Sequence, residues 1–218
     1  MQHTLSTRLL AEFTGTALLL CVVVGSGIMG VNLSQGNDGI ALLANTLATV
    51  FGLYFLIEMF GDISGAHFNP VVTLSMALLK RQAVTEVLPY TLVQLAGAAI
   101  GALLANWMFG LQVIEWSTKL RTGPGIWTGE IVATAGLLLV ILLSKPQRVS
   151  STVAAYIGAA YWFTSSTSFA NPAAAFGRLF SDTFAGINPH SVPTFVIAEL
   201  FGGGLALGLY KLLQASTK

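Results

Sequence analysis

The sequence predicts an all-α membrane protein: six transmembrane helices plus two re-entrant half-helices, arranged as an inverted tandem repeat. Three observations predict it. Of 218 residues, 54% are hydrophobic and only 9% are charged, against about 25% charged in an average soluble domain. Six apolar stretches approach the length of about 20 residues that crosses a ~30 Å hydrocarbon core. Two shorter apolar segments each begin with Asn-Pro. Mean hydropathy is +0.75 at 22.9 kDa, more apolar surface than a soluble domain of that size can hide. A cytosolic enzyme, a nucleic-acid binder and a disordered regulator are thereby excluded, and the lipid bilayer is the expected surrounding.

The first span is expected at 9–31. It follows a weakly basic start and continues without a cleavage context, so it reads as a span and not as a cleavable signal peptide. The others are expected at 40–59, 87–109, 126–143, 151–167 and 192–213. Of these, 151–167 has the weakest pattern, because its end is rich in Ser and Thr. The two short segments are 69–79 and 171–180. Asn is a good helix N-cap and Pro fits the first helical position. One such segment alone would read as an amphipathic connector on the membrane surface. Two with matching starts, each between spans, read as half-helices that dip into the bilayer and return.

The match extends further. A lone Glu followed four residues later by Thr occurs at Glu12–Thr16 and again at Glu130–Thr134. Ser64 to Val71 resembles Ser166 to Ala173, and Val93 to Gly97 resembles Ala198 to Gly202. The order is the same, so the chain reads as one channel domain, 1–218, with internal repeats at about 8–110 and 126–213. Three spans per repeat is an odd number, which forces the second half to enter the membrane in the opposite sense and places a solute path between the halves. With both termini inside, the cytoplasmic segments carry Arg8, Lys80, Arg81, Lys145, Arg148, Lys211 and Lys218, and the outer ones Lys119, Arg121 and Arg178. That bias predicts a multi-pass cell (inner) membrane protein with both termini cytoplasmic.

Glu12 and Glu130 stand inside apolar spans, where an unpartnered charge costs at least ~2.5–3.5 kcal/mol. Two readings follow. They are proton-coupling groups, or they are structural acceptors for the backbone of re-entrant loops, which protein must satisfy at membrane depth. In the second reading a Gln at either position, keeping one acceptor, leaves solute flux intact. The two Asn-Pro starts place unpaired N–H groups and the positive ends of two short helices near the midplane. Asn69 and Asn171 would offer amide donors to a passing oxygen, giving a path for neutral polar solutes that resists ions.

The chain resembles the major intrinsic proteins, the aquaporins and aquaglyceroporins. The resemblance rests on Ala11-Glu12-Phe13-x-Gly15-Thr16, on Ser64 to Thr73 with Asn69-Pro70-Val71, on Asn171-Pro172-Ala173, and on Gln94-Leu95-x-Gly97-Ala98. It implies six tilted helices and two half-helices around a pore, a homotetramer with one pore per subunit, and no cofactor. It also implies that His67 offers its backbone carbonyl to the pore; a side chain bonded to a neighbour is the other reading, and both are compatible. Val71 stands where the commoner motif has Ala. The family's filter arginine, three residues after the second motif asparagine, is here Ala174. Family spacing puts the other filter positions at Thr49, Ala159 and Ser168, so the implied filter is small and uncharged. Arg178, one turn beyond Ala174, is either a displaced filter arginine at the outer mouth or an anchor paired with Asp182. The stretch Arg178 to Ile187 resembles a bacterial subgroup linked to permeation of arsenicals and other metalloids.

The remaining features are assigned to structure. Gly97-x-x-x-Gly101 permits close helix packing. Trp107, Trp116, Trp127 and Trp162 are interfacial or packing aromatics. Cys21, the one cysteine, excludes an internal disulfide, and His3, His67 and His190 lie too far apart for a metal site. A net charge of +1 selects no charged partner. The reading that follows is a passive channel for small uncharged solutes. The alternative from another class is a proton-coupled secondary transporter. A membrane enzyme lacks any nucleophile–base pair.

Overall fold

The computed structural model describes residues 3–215; Lys218, counted above, lies outside them. Among the described residues eight α-helices follow one another: α1 (Leu5–Leu33), α2 (Asp38–Ser64), α3 (Pro70–Leu78), α4 (Val87–Met108), α5 (Pro124–Leu143), α6 (Val149–Phe163), α7 (Pro172–Arg178) and α8 (Val192–Ala215). No strand occurs among the described residues. Local chemistry sets several starts. The Thr4 hydroxyl accepts from the Thr7 N–H, and the Asn37 side chain accepts from the Ile40 N–H. Short 3₁₀ turns at Val84–Glu86, Pro146–Arg148 and Pro189–Ser191 lead into α4, α6 and α8.

Among the described residues five helices are long and apolar enough to cross a membrane: α1, α2, α5, and α4 and α8 with their leading turns. The sixth expected span differs from its expectation. Helix α6 covers 149–163, not 151–167, and its 15 residues reach about 22 Å at 1.5 Å per residue. The Ser/Thr-rich end is not helical. The Thr164 hydroxyl folds back on the Ala160 carbonyl and that of Ser165 donates to the Gly125 carbonyl, so the chain turns towards α5 and re-enters.

The helices pack in matching sets: α1 on α2 and α4, and α5 on α6 and α8. The two short helices α3 and α7 touch each other and the long helices around them. Large apolar side chains such as Leu10, Phe51, Leu88, Trp107 and Ile197 are exposed on the outside, as a lipid-facing surface requires. Inside, the α1–α4 contact is backbone against backbone. A Cβ on Gly97 would overlap the Phe13 carbonyl, and one on Gly101 the Ala17 carbonyl. In the second half Gly202 faces the Ile131 carbonyl in the same way. Gly101→Val is therefore expected to destabilise the protein by about 1–3 kcal/mol, the usual range for overpacking, and a melting curve in detergent checks this.

Candidate functional site

The chain enters the membrane twice through loops built on one plan. In the first, Ala66 and Phe68 adopt left-handed backbone (both φ +48°), and in the second Ser168 and Ala170 do (φ +52° and +49°). These are the residues three and one before each motif asparagine. A non-glycine residue there costs roughly 1–2 kcal/mol, so surrounding bonds must hold the shape.

Two buried carboxylates supply many of those bonds. Glu12 Oε1 accepts from the Ser64 hydroxyl (2.7 Å) and the His67 N–H (2.9 Å). Its Oε2 accepts from the Phe68 N–H (2.7 Å) and the Gln94 amide (2.8 Å). Glu130 accepts from the N–H groups of Phe169 (2.8 Å) and Ala170 (2.7 Å), the equivalent positions of the second loop. Both glutamates are wholly buried. Glu199 is a further participant, whose carboxyl accepts from the Asn171 N–H at 2.9 Å.

Asparagine and proline then start each half-helix. Asn69 Oδ1 accepts from the Val71 N–H, and Asn171 Oδ1 from those of Ala173 and Ala174. Pro70 and Pro172 occupy the first helical positions. With each side-chain oxygen spent as a cap, the amide nitrogens cross over. Asn69 Nδ2 donates to the Ala170 carbonyl (2.7 Å), and Asn171 Nδ2 to the Phe68 carbonyl (2.8 Å). The two half-helix starts therefore abut. Each amide has one more N–H, and both asparagines line a cavity of about 320 Å³ between the halves.

That cavity has two chemistries. Long helices contribute apolar side chains, among them Leu19, Val23, Ile57, Leu137 and Ile141, while the loops contribute His67, Asn69, Ser168 and Asn171. Val71 is buried away from the lining. The His67 Nδ1 lies 3.1 Å from the Thr73 hydroxyl and its ring packs against Tyr90, so its side chain is bonded to neighbours while the residue faces the lumen. The Ser168 hydroxyl is buried without a protein partner.

At the α7 side the lining includes Thr49, Tyr161, Ser168, Ala174 and Arg178. Ala159 corrects the family-spacing count: it is exposed on the outer face of α6 and does not line the cavity. The lining face of α6 runs through Val149, Val153, Ile157 and Tyr161, a four-residue spacing that leaves position 159 on the opposite side. The Tyr161 hydroxyl lies 3.1 Å from that of Thr49. Arg178 is buried, bonds the Ala185 carbonyl through Nε, and stacks on the Phe169 ring 3.4 Å from its centroid. It does not pair with Asp182, which instead accepts from the Thr118 N–H and the Thr118 and Ser117 hydroxyls. Arg121, from the loop between α4 and α5, lies 5.1 Å from the same Phe169 ring and donates to the Gly186 and Phe184 carbonyls. Burial pushes its guanidinium down to about 10, which leaves it charged at neutral pH.

Tyr161, Glu199 and Arg121 are the site residues that sequence reading missed. Glu199 was visible as the repeat partner of Gln94, and Tyr161 as the residue one turn beyond Ile157. No group of three or more His, Cys, Asp or Glu placed to hold a metal occurs among the described residues.

Comparison with known proteins places this arrangement. The family model described as Major intrinsic protein matches residues 1–168. The chain is 48% identical to the aquaglyceroporin AqpS of Rhizobium meliloti (strain 1021) over 212 residues, covering 96% of this chain and 91% of that protein. It is 31% identical to the aquaporin AqpM of Methanothermobacter marburgensis, covering 97% and 98%. In fold it matches the X-ray structure of the aquaglyceroporin from Plasmodium falciparum, with a TM-score of 0.71 at 19% identity, over 95% of this chain and 96% of that one.

Proposed function

The chain belongs to the major intrinsic protein family, and from that premise we propose a passive channel for small uncharged solutes: water, glycerol-like polyols and metalloid hydroxides such as As(OH)₃. One observation carries this reading. The lumen is mostly apolar along the long helices, and along the two abutting loops Asn69 and Asn171 each keep one N–H for a passing oxygen. A neutral hydroxylated solute can exchange water for those groups. A cation meets the amide donors and the positive ends of two short helices instead.

The solute range follows from the α7 side. Ala174 takes the place of the filter arginine, and it shares the lining with the hydroxyls of Thr49, Tyr161 and Ser168. Tyr161 makes this region narrower and more polar than a filter of four small residues. Arg178, one turn further along α7, supplies the fixed cation at the outer mouth. The 48% identity to a protein named an aquaglyceroporin supports passage of solutes larger than water. The protein works in the cell (inner) membrane as a homotetramer with both termini cytoplasmic. With Arg178 inside the lumen, the charge bias of the connecting segments and ends is seven basic residues against two, Lys119 and Arg121, in keeping with cytoplasmic termini.

Swelling of reconstituted vesicles tests the proposal. Water, glycerol and arsenite are expected to enter at rates linear in their gradients and unaffected by a pH gradient. Saturable flux driven by protons would replace the channel by a transporter. Passage of water with exclusion of glycerol and arsenite would overturn the solute range.

A further inference from the structure

We propose that Glu199 is a neutral carboxylic acid that donates a hydrogen bond to the Glu130 carboxylate and so positions Asn171 in the pore. The two halves of the molecule differ at this point. In the first half the fourth donor to Glu12 is the Gln94 amide. In the second half the repeat-equivalent residue is Glu199, and the consecutive N–H groups of Ala170 and Asn171 donate to Glu130 (2.7 Å) and Glu199 (2.9 Å), which sets the two carboxyls side by side. Both are wholly buried. Glu130 uses its two oxygens to accept from Phe169 and Ala170, as a carboxylate does. Glu199 accepts one bond, from Asn171, through Oε1, and its Oε2 has no donor among protein groups. An oxygen beside a carboxylate with no donor of its own is where a proton belongs.

The surrounding charges do not remove the need for that proton. Arg178 faces the pair from α7 and Arg121 from the outer loop, but their guanidinium groups bond the carbonyls of Ala185, Gly186 and Phe184. Tyr156 faces Glu130 from α6, Tyr161 stands by Arg178 and Arg121, and the Ser166 hydroxyl in the loop is bonded to that of Thr164. Two adjacent carboxylates at membrane depth, neither paired with a cation, would repel each other. One proton on Glu199 Oε2 removes the repulsion and gives an O–H···O bond in place of the N–H···O bond that Gln94 makes in the other half. No net transfer occurs. Through Oε1 the same side chain fixes the backbone of Asn171, whose amide crosses to the Phe68 carbonyl, so Glu199 acts on the pore by positioning its asparagine.

The test compares wild type, Glu199→Gln and Glu199→Leu in reconstituted membranes at neutral pH. Infrared spectra are expected to show the carbonyl stretch of a protonated carboxylic acid in the wild type, and its loss in Glu199→Gln. Glycerol flux of Glu199→Gln should stay within about twofold of wild type, because Gln restores the donor. That of Glu199→Leu should fall about tenfold, because the Asn171 N–H and Glu130 both lose a partner. An unchanged infrared band in Glu199→Gln overturns the proposal, as does Glu199→Leu with wild-type flux, or a folded Glu199→Gln as impaired as Glu199→Leu. The flux arm rests on the channel reading. A wild type without glycerol flux would sink that reading, and the infrared arm would still decide where the proton is.

Discussion

With arginine in place of Ala174, permeation of glycerol and arsenite is expected to fall at least about tenfold while water permeation falls less, a barrier increment of about 1.4 kcal/mol for the larger solutes. Ala174 lies in the first turn of α7, three residues after Asn171, and lines the cavity together with Thr49, Tyr161 and Ser168. An arginine there brings five fixed N–H donors and a side chain that occupies lumen now open. Water is small enough to pass a guanidinium in single file; a polyol must give up more of its own hydration at the narrower point. The substitution also sets a second cation one turn from Arg178, in a lumen where charges are poorly screened. The new side chain therefore extends towards the Thr49–Tyr161 hydroxyl pair and away from Arg178. Stopped-flow measurement of water and glycerol flux in the same vesicles checks the result. Unchanged glycerol flux would place the narrowest point elsewhere, and equal loss of both fluxes would mean that the pore had closed instead of narrowed.

What the sequence made legible was what local chemistry determines. An asparagine followed by proline starts a helix wherever it stands, so both half-helices were readable, and their starts at Asn69 and Asn171 cap α3 and α7. An acid inside an apolar span must find donors, which pointed Glu12 and Glu130 at backbone, and both accept loop N–H groups. Small residues four apart pointed to close helix packing, and Gly97 and Gly101 meet the backbone of α1. What was not legible depended on where a helix ends and which face it then shows. Helix α6 stops at Phe163, and a count back from Asn171 along a loop of unknown shape landed on Ala159 instead of Tyr161. Arg178 illustrates the same limit. Sequence left Arg178 between the outer mouth and a pairing with Asp182, four residues on; the chain leaves the helix after Arg178, and Asp182 turns to Thr118 across the outer loop.

Glu12→Gln is expected to cost about 1–3 kcal/mol of stability, the penalty of one stranded buried donor, and to lower glycerol flux in the protein that remains folded. The sequence alone suggested that Gln would be tolerated, since it keeps the size and one acceptor. The geometry is less permissive, because both carboxylate oxygens are in use, each by two donors. Placing the amide nitrogen at the Oε1 position lets the Ser64 hydroxyl rotate and accept, but the His67 N–H is fixed in the backbone and faces another donor. Placing it at Oε2 lets Gln94 turn its own oxygen, now without a partner, towards the new amide, but the Phe68 N–H is stranded instead. Either way one backbone donor of the first loop loses its acceptor, in a segment whose left-handed residues Ala66 and Phe68 depend on those bonds. Glu130→Gln is expected to cost about as much. Its new amide can donate to Glu199, much as Gln94 can turn to accept in the first half, but either the Phe169 or the Ala170 N–H is then left without its acceptor. A melting curve and glycerol flux for both variants check this. A clearly smaller loss in Glu130→Gln would mean that the second loop satisfies the stranded N–H elsewhere, and no loss in Glu12→Gln would mean that the first loop holds its shape without the carboxylate.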